Sequence, residues 1–270
     1  MFKDRGTMGA LRRVPLDRGA VRWAMIREPA GFDEEAVSGR GTLDAVRLID
    51  SLLVDAPGAA VEPGGAMRLT VPERDLLLAA AYRMIWGAKI EGTTPCARCG
   101  ELFEYAFDLG ALIASVQDAA PDLAVENGVY TLGDGCRFRL PSAQDELDIA
   151  GLSEEDAERV LLERCIVAGD PDEDGTAVLA AMDDVGSGLD VELSAACATC
   201  GHIHALRFQM QDYLLGAISG NWASLTESVH RLALAYRWGL AEILSLPSRR
   251  RRAFVALLDG DRIARIAEPS

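Results

Sequence analysis

Four of the six cysteines lie in two short turns of the same type. Cys96 and Cys99 are followed by Gly100, and Cys197 and Cys200 are followed by Gly201. Two thiolates three residues apart can grip one cation if the turn between them is tight. A glycine after the second cysteine supplies the positive φ that closes such a turn. Four thiolates from two turns complete a tetrahedral zinc site, with Zn–S near 2.3 Å. The predicted ligand set is therefore Cys96, Cys99, Cys197 and Cys200, and the predicted ion is Zn2+. A thioredoxin-like redox pair would need its second cysteine inside a helix of a βαβ unit, whereas strand-forming residues flank both turns here. Iron in a rubredoxin-like site uses the same four ligands. A catalytic zinc keeps one position open for water; four matched cysteines leave none, so the ion is expected to brace rather than react.

The elements that must position these turns repeat. Around the turns, two segments match at a constant offset of 101 residues: Ile90 with Val191, Glu91 with Glu192, Leu102 with Ile203, Tyr105 with Leu206, Phe107 with Phe208 and Leu109 with Met210. Each half reads strand, turn, strand. The 97 residues between Cys99 and Cys197 exceed the spacing of a simple zinc ribbon, but loop-closure entropy grows only logarithmically with length. His202 and His204 follow the second turn, where the first has Glu101 and Phe103, which argues against histidine ligands. His230 falls on a helix and is expected to be structural. Cys136 and Cys165, in apolar surroundings, read as core thiols.

The chain has 270 residues, a net charge of −15 and 49% apolar residues. That acidity disfavours sequence-independent nucleic-acid binding, which needs a cationic face. No apolar run approaches the ~18 residues of a membrane helix, and no secretory signal is visible. A cytoplasmic location is expected, where paired cysteines serve as metal ligands more often than as disulfides. No phosphate-binding glycine loop, nucleophile elbow or histidine-centred acid–base constellation appears, so neither an enzyme nor a small-molecule substrate is expected.

Residues 1–27 carry Lys3, Arg5, Arg12, Arg13, Arg18, Arg22 and Arg27 against two acids, and residues 1–40 are expected to be a basic, flexible arm. Residues 41–87 predict helices: Thr42–Val54 has one apolar face, and Thr70 with Glu73 and Pro72 opens a helix that Gly87 ends. Residues 88–110 plus 188–212 make the zinc-clamped β unit. Residues 111–187 form an acidic insertion, with a short helix over Leu112–Gln117, a hairpin turning at Gly133–Gly135 and one clear helix from Ser153. From Pro141 to Asp190, fifteen acids face two bases, which reads as a solvated face hanging off the zinc-clamped sheet. Residues 213–270 predict helices over Trp222–Arg237, Ala241–Leu246 and Ser248–Leu258, with fraying after Asp259. Tyr236, Trp238 and the run Arg249, Arg250, Arg251 and Arg252 are candidate partner-binding residues, because aromatic and arginine anchors carry interface energy.

Three stretches resemble a known family: ERDLLLAAAYRMIWGAKIEGTTPCARCG, then ELSAACATCGHIHALRFQM, then ESVHRLALAYRWGLAEILSLPSRRRRAFVALL. Together they span about residues 68–260 and are similar to the baseplate proteins and baseplate hub assembly chaperones of contractile phage tails and phage-tail-like injection systems. The twin knuckles and the segment His230, Leu232, Ala233, Tyr236 and Trp238 carry the resemblance most specifically. Ala97 and Ala198 stand where a proline commonly follows the first cysteine of such knuckles. The resemblance implies a structural component or assembly chaperone, with baseplate, hub, spike or tube proteins as partners and possible incorporation in the particle. The rival reading is a zinc-ribbon nucleic-acid or transcription-type adaptor that uses the arginine run. The expected fold is α+β: a four-cysteine zinc-ribbon-like β unit with a long insertion, flanked by N- and C-terminal helices.

Overall fold

A computed structural model describes residues 10–17, 21–121, 123–170 and 175–267, with side chains placed through residue 260. Helices and short strand groups are interspersed along the chain, which closes with four consecutive helices. It opens with a hairpin of β1 (Leu11–Pro15) and β2 (Trp23–Arg27), followed by α1 (Gly31–Ala36) and α2 (Thr42–Leu52). The central helix, α3 (Val71–Trp86), starts where the Thr70 backbone N–H donates to Glu73 Oε2 at 3.0 Å and stops at Gly87, whose φ is +94°. It is buried nearly all round, as a helix at the middle of a core must be.

Next come β3 (Lys89–Pro95), β4 (Leu102–Asp108) and α4 (Leu109–Ala119). The insertion holds β5 (Ala124–Glu126), β6 (Val129–Thr131), β7 (Arg137–Arg139), α5 (Ala143–Ile149), α6 (Glu154–Cys165), β8 (Ile166–Ala168) and α7 (Thr176–Gly186). β5 to β8 form one antiparallel sheet in chain order. The chain then runs through β9 (Asp190–Ala196), β10 (Ile203–Gln209), α8 (Met210–Gly220), α9 (Trp222–Tyr236), α10 (Leu240–Leu244) and α11 (Ser248–Ala267). No helix among the described residues is long and apolar enough to cross a membrane.

The main core forms where the β1–β2 hairpin, α2, α3 and α8 meet. Val14, Ile26, Val46, Ile49, Leu52, Leu77, Leu78, Leu214 and Leu215 are buried there together, with Leu109 and Met210 at the first positions of α4 and α8. A second, smaller core lies within the insertion around Phe138, Leu140, Val178 and Met182, and it encloses both Cys136 and Cys165.

Four expectations need correction. Residues 10–17 and 21–36 are not a flexible arm: Val14, Leu16, Ala24 and Ile26 alternate inward into the main core. Their arginines find partners, Arg22 with Glu73, Arg27 with Asp33 at 2.7 Å, and Arg13 over the Trp23 ring at 4.5 Å. Lys3, Arg5 and Arg18 lie outside the described residues. Second, the cysteine-bearing strands make two separate hairpins, β3–β4 and β9–β10, not one sheet. Third, the insertion is bolted to the helical core rather than hanging from the hairpins. Ala143 donates its backbone N–H to Leu69 O at 2.9 Å, and the buried Arg74 needs a counter-charge, which Glu146 supplies at 2.8 Å. Asp145, likewise buried, pairs with Arg139 at 2.7 Å, so two of the fifteen acids are structural. Fourth, α5 and α7 join α6, where the sequence predicts a single helix. Part of the GDPDEDG loop, residues 171–174, lies outside the described residues.

Candidate metal centre

The two hairpins carry the internal repeat into three dimensions. Lys89 pairs with Asp108 and Pro95 with Leu102 in the first; Asp190 pairs with Gln209 and Ala196 with Ile203 in the second. Each position in one ladder is 101 residues from its counterpart. The helices that follow, α4 and α8, have the same length and start at the same offset.

Local backbone chemistry shapes both tips alike. In the first, Cys96 N–H donates to Glu101 O and Gly100 N–H to Cys96 O, both at 2.8 Å. In the second, Cys197 N–H donates to His202 O and Gly201 N–H to Cys197 O, both at 2.9 Å. Gly100 and Gly201 have φ of +77° and +69°, the conformation for which the sequence needs glycine.

The tips bring the four predicted sulfurs together. Cys96 Sγ lies 3.6 Å from Cys200 Sγ and Cys99 Sγ lies 3.9 Å from Cys197 Sγ, and all four fall within 4.8 Å of one another. A tetrahedron with 2.3 Å metal–sulfur bonds has edges of about 3.8 Å, so the donor set matches one ion in size. Cys96 and Cys197 are buried, Cys200 is half-buried and Cys99 is exposed. The four residues can hold a metal.

The equivalent residues meet in pairs. Phe107 packs edge-on against Phe208 with ring centroids 5.1 Å apart, and Phe103 against His204 at 4.9 Å. The sulfur contacts exchange in the same way, because adding 101 to Cys96 and subtracting it from Cys200 turns the first contact into the second. Reciprocal contacts of this kind are the mark of a two-fold axis. The hairpins are thus related by a pseudo-two-fold that runs through the sulfur cluster and both aromatic pairs.

His204 breaks the symmetry. Its Nε2 lies 3.2 Å from Cys96 Sγ, and its ring also meets His202 edge-on at 4.7 Å. Burial raises the Cys96 thiol, but backbone N–H groups of Cys99 and Arg98 and the His204 ring outweigh it and bring it down to about 5. At Cys99 the backbone near Glu101 lowers the thiol, yet desolvation and the three neighbouring sulfurs push it up to about 12. Four thiols this close resist ionising together, and a divalent cation is the natural relief of that repulsion.

The residues expected to bind partners divide. Tyr236 and Trp238 stack with each other at 4.9 Å and both meet Phe254 edge-on, forming an internal cluster between α9 and α11 with Tyr236 at its exposed edge. Arg249 and Arg250 are exposed. Arg251 is not a surface anchor: it is buried, forks onto both Glu34 oxygens at 2.8 Å and donates to Leu246 O. Arg252 donates to Ile85 O. The physical reason is helical geometry, which turns one arginine in four inward against α1, where Glu34 supplies the counter-charge. His230 is exposed on α9. Sequence reasoning missed Glu34 as the partner; the acidic first turn of a helix near the chain start was its only signal. In comparisons with protein-family models, curated proteins and solved structures, nothing matches this chain.

Proposed function

We propose that Cys96, Cys99, Cys197 and Cys200 hold a structural zinc ion in a zinc-ribbon-like unit, and that the protein is a structural component or assembly chaperone of a contractile-tail baseplate. The observation that carries the metal reading is the four-sulfur cluster, with its closest contacts at 3.6 and 3.9 Å. An all-thiolate tetrahedral set selects soft cations, zinc foremost. Four thiolates fill the coordination sphere, so no position remains for a reacting water, which favours bracing over catalysis. The ion would close a chain of 97 intervening residues and contribute folding free energy, which reaches about 10–16 kcal/mol in small zinc peptides.

The baseplate reading rests on the likeness of about residues 68–260 to that family. The adaptor reading has lost part of its basis, because Arg251 and Arg252 are engaged internally and only Arg249 and Arg250 remain for phosphate. The test is the double substitution Cys96→Ser and Cys197→Ser. The expected result is loss of one bound zinc per chain and loss of co-purification with sheath, tube or spike proteins. A variant that keeps its fold and joins its particle as well as the parent protein, without metal, would overturn the proposal. Binding to DNA or RNA with a steep salt dependence would favour the adaptor instead.

A further inference from the structure

The pseudo-two-fold offers an internal control that the metal site alone does not. Under it, His204 beside Cys96 corresponds to Phe103 beside Cys197. His204 Nε2 lies 3.2 Å from Cys96 Sγ, while Phe103 is buried in one cluster with Cys96 and Cys197 and has no polar atom to offer. A metal-bound thiolate has no proton to give, so in a contact with its sulfur Nε2 must carry the hydrogen. The Phe103 ring at 4.9 Å and the His202 ring at 4.7 Å hold the imidazole in place. Cys96 is only 3% exposed, so water is a poor substitute for the His204 donor, and each donor lost to a buried anion is costly.

We infer that His204 is a positioning residue of the metal centre: it donates an N–H···S hydrogen bond to Cys96, and Phe103 marks the equivalent place beside Cys197 where no such bond is made. The inference rests on the metal reading above. It makes the site asymmetric in strength although symmetric in ligands. The half held by Cys96 has a side-chain donor to its sulfur, and at the equivalent place beside Cys197 stands Phe103, which has none.

The symmetry dictates the experiment, done on the full chain with zinc affinity read by chelator competition. His204→Phe should weaken zinc binding by about 10–100-fold, the usual effect of losing a partner to a metal ligand. Phenylalanine is already accommodated at the equivalent position, so this variant is expected to keep the parent melting temperature in excess chelator. Phe103→His should bind at least as tightly as the parent, through a new donor to Cys197. The exchange variant, Phe103→His with His204→Phe, should recover most of the lost affinity. Cobalt loading adds a readout that packing does not move: removing a hydrogen bond from a thiolate raises its electron energy, so the sulfur-to-cobalt charge-transfer band of His204→Phe should shift to lower energy and return in the exchange variant. Equal zinc affinity of His204→Phe and the parent, or an exchange variant as weak as His204→Phe with an unmoved band, would overturn the inference and leave the metal site standing. A parent protein that takes up no metal would sink both.

Discussion

The pair formed by Arg251 and Glu34 ties the end of the chain to its beginning, across 217 residues of sequence. Both side chains are nearly sealed, 3% and 4% exposed, and the guanidinium meets both carboxylate oxygens at 2.8 Å. Arg251→Ala would leave the Glu34 carboxylate buried without its counter-ion. Breaking a buried pair from one side costs about 3–5 kcal/mol, and the lost bond to Leu246 O adds about 1 kcal/mol. For a chain of this size each kcal/mol lowers the melting temperature by about 2–4 °C, so the expected drop is about 8–24 °C. Replacing both partners by apolar groups, Glu34→Leu with Arg251→Met, should cost far less than the two single changes combined, since no charge is then stranded. Arg250→Ala, on the exposed side of the same helix, should stay within about 0.5 kcal/mol of the parent. Urea unfolding of these variants measures each value. If Arg251→Ala proves as mild as Arg250→Ala, the pair is not buried, α11 is not seated on α1, and the whole arginine run returns to the surface as a binding element.

Two other outcomes follow from the backbone and from titration. Gly100 and Gly201 have positive φ with open space where a Cβ would go, so Gly100→Ala and Gly201→Ala should each cost only the left-handed penalty, about 1–2 kcal/mol. By the pseudo-symmetry the two costs should be alike in chemical denaturation, and a cost confined to one tip would contradict that symmetry. Asp75, raised by burial from its ordinary 3.8 to about 6, accepts the Leu189 N–H at 2.7 Å. Between those two values the folded protein holds the proton more tightly than the unfolded chain, so this group's contribution to stability falls as pH rises from about 4 to about 6. The slope is at most about 1.4 kcal/mol per pH unit. Asp75→Asn keeps the acceptor and should remove that slope; parallel pH profiles for the two proteins would refute the assignment.

What could be read from the sequence was local or repeated. Thr70, Glu73 and Gly87 specify the ends of α3 through bonds that span four residues or fewer. The CxxC-G turns specify their own positive φ, and the 101-residue offset foretells the register of both ladders because each is closed by the same turn. What could not be read depends on distant partners. The β1–β2 hairpin looks like a charged arm because its outward positions are arginines whose neighbours, such as Glu73, lie far along the chain. Arg251 looks like part of a surface run because Glu34 is remote. The separation of the hairpins into two ladders is likewise invisible, since spacing along the chain does not say which strand edges exchange hydrogen bonds.

The placement of the sulfur cluster explains why these hairpins need a brace at all. A two-stranded hairpin is marginal in water by itself, and here neither hairpin joins a larger sheet. Between them the ring pairs Phe103–His204 and Phe107–Phe208 form a thin layer. At the base, Leu109 and Met210 lead straight from β4 and β10 into the helical core, so that end is fixed by burial. At the tip the apolar grip is small: Phe103 is buried there with the cysteines, but Leu102 and Ile203 are 69% and 67% exposed. The cysteines stand where hydrophobic packing gives out. A metal there would hold the tips with a few strong bonds in place of many weak contacts, and would keep in one orientation a pair of apolar, outward-facing ends that an untethered hairpin would leave free to splay.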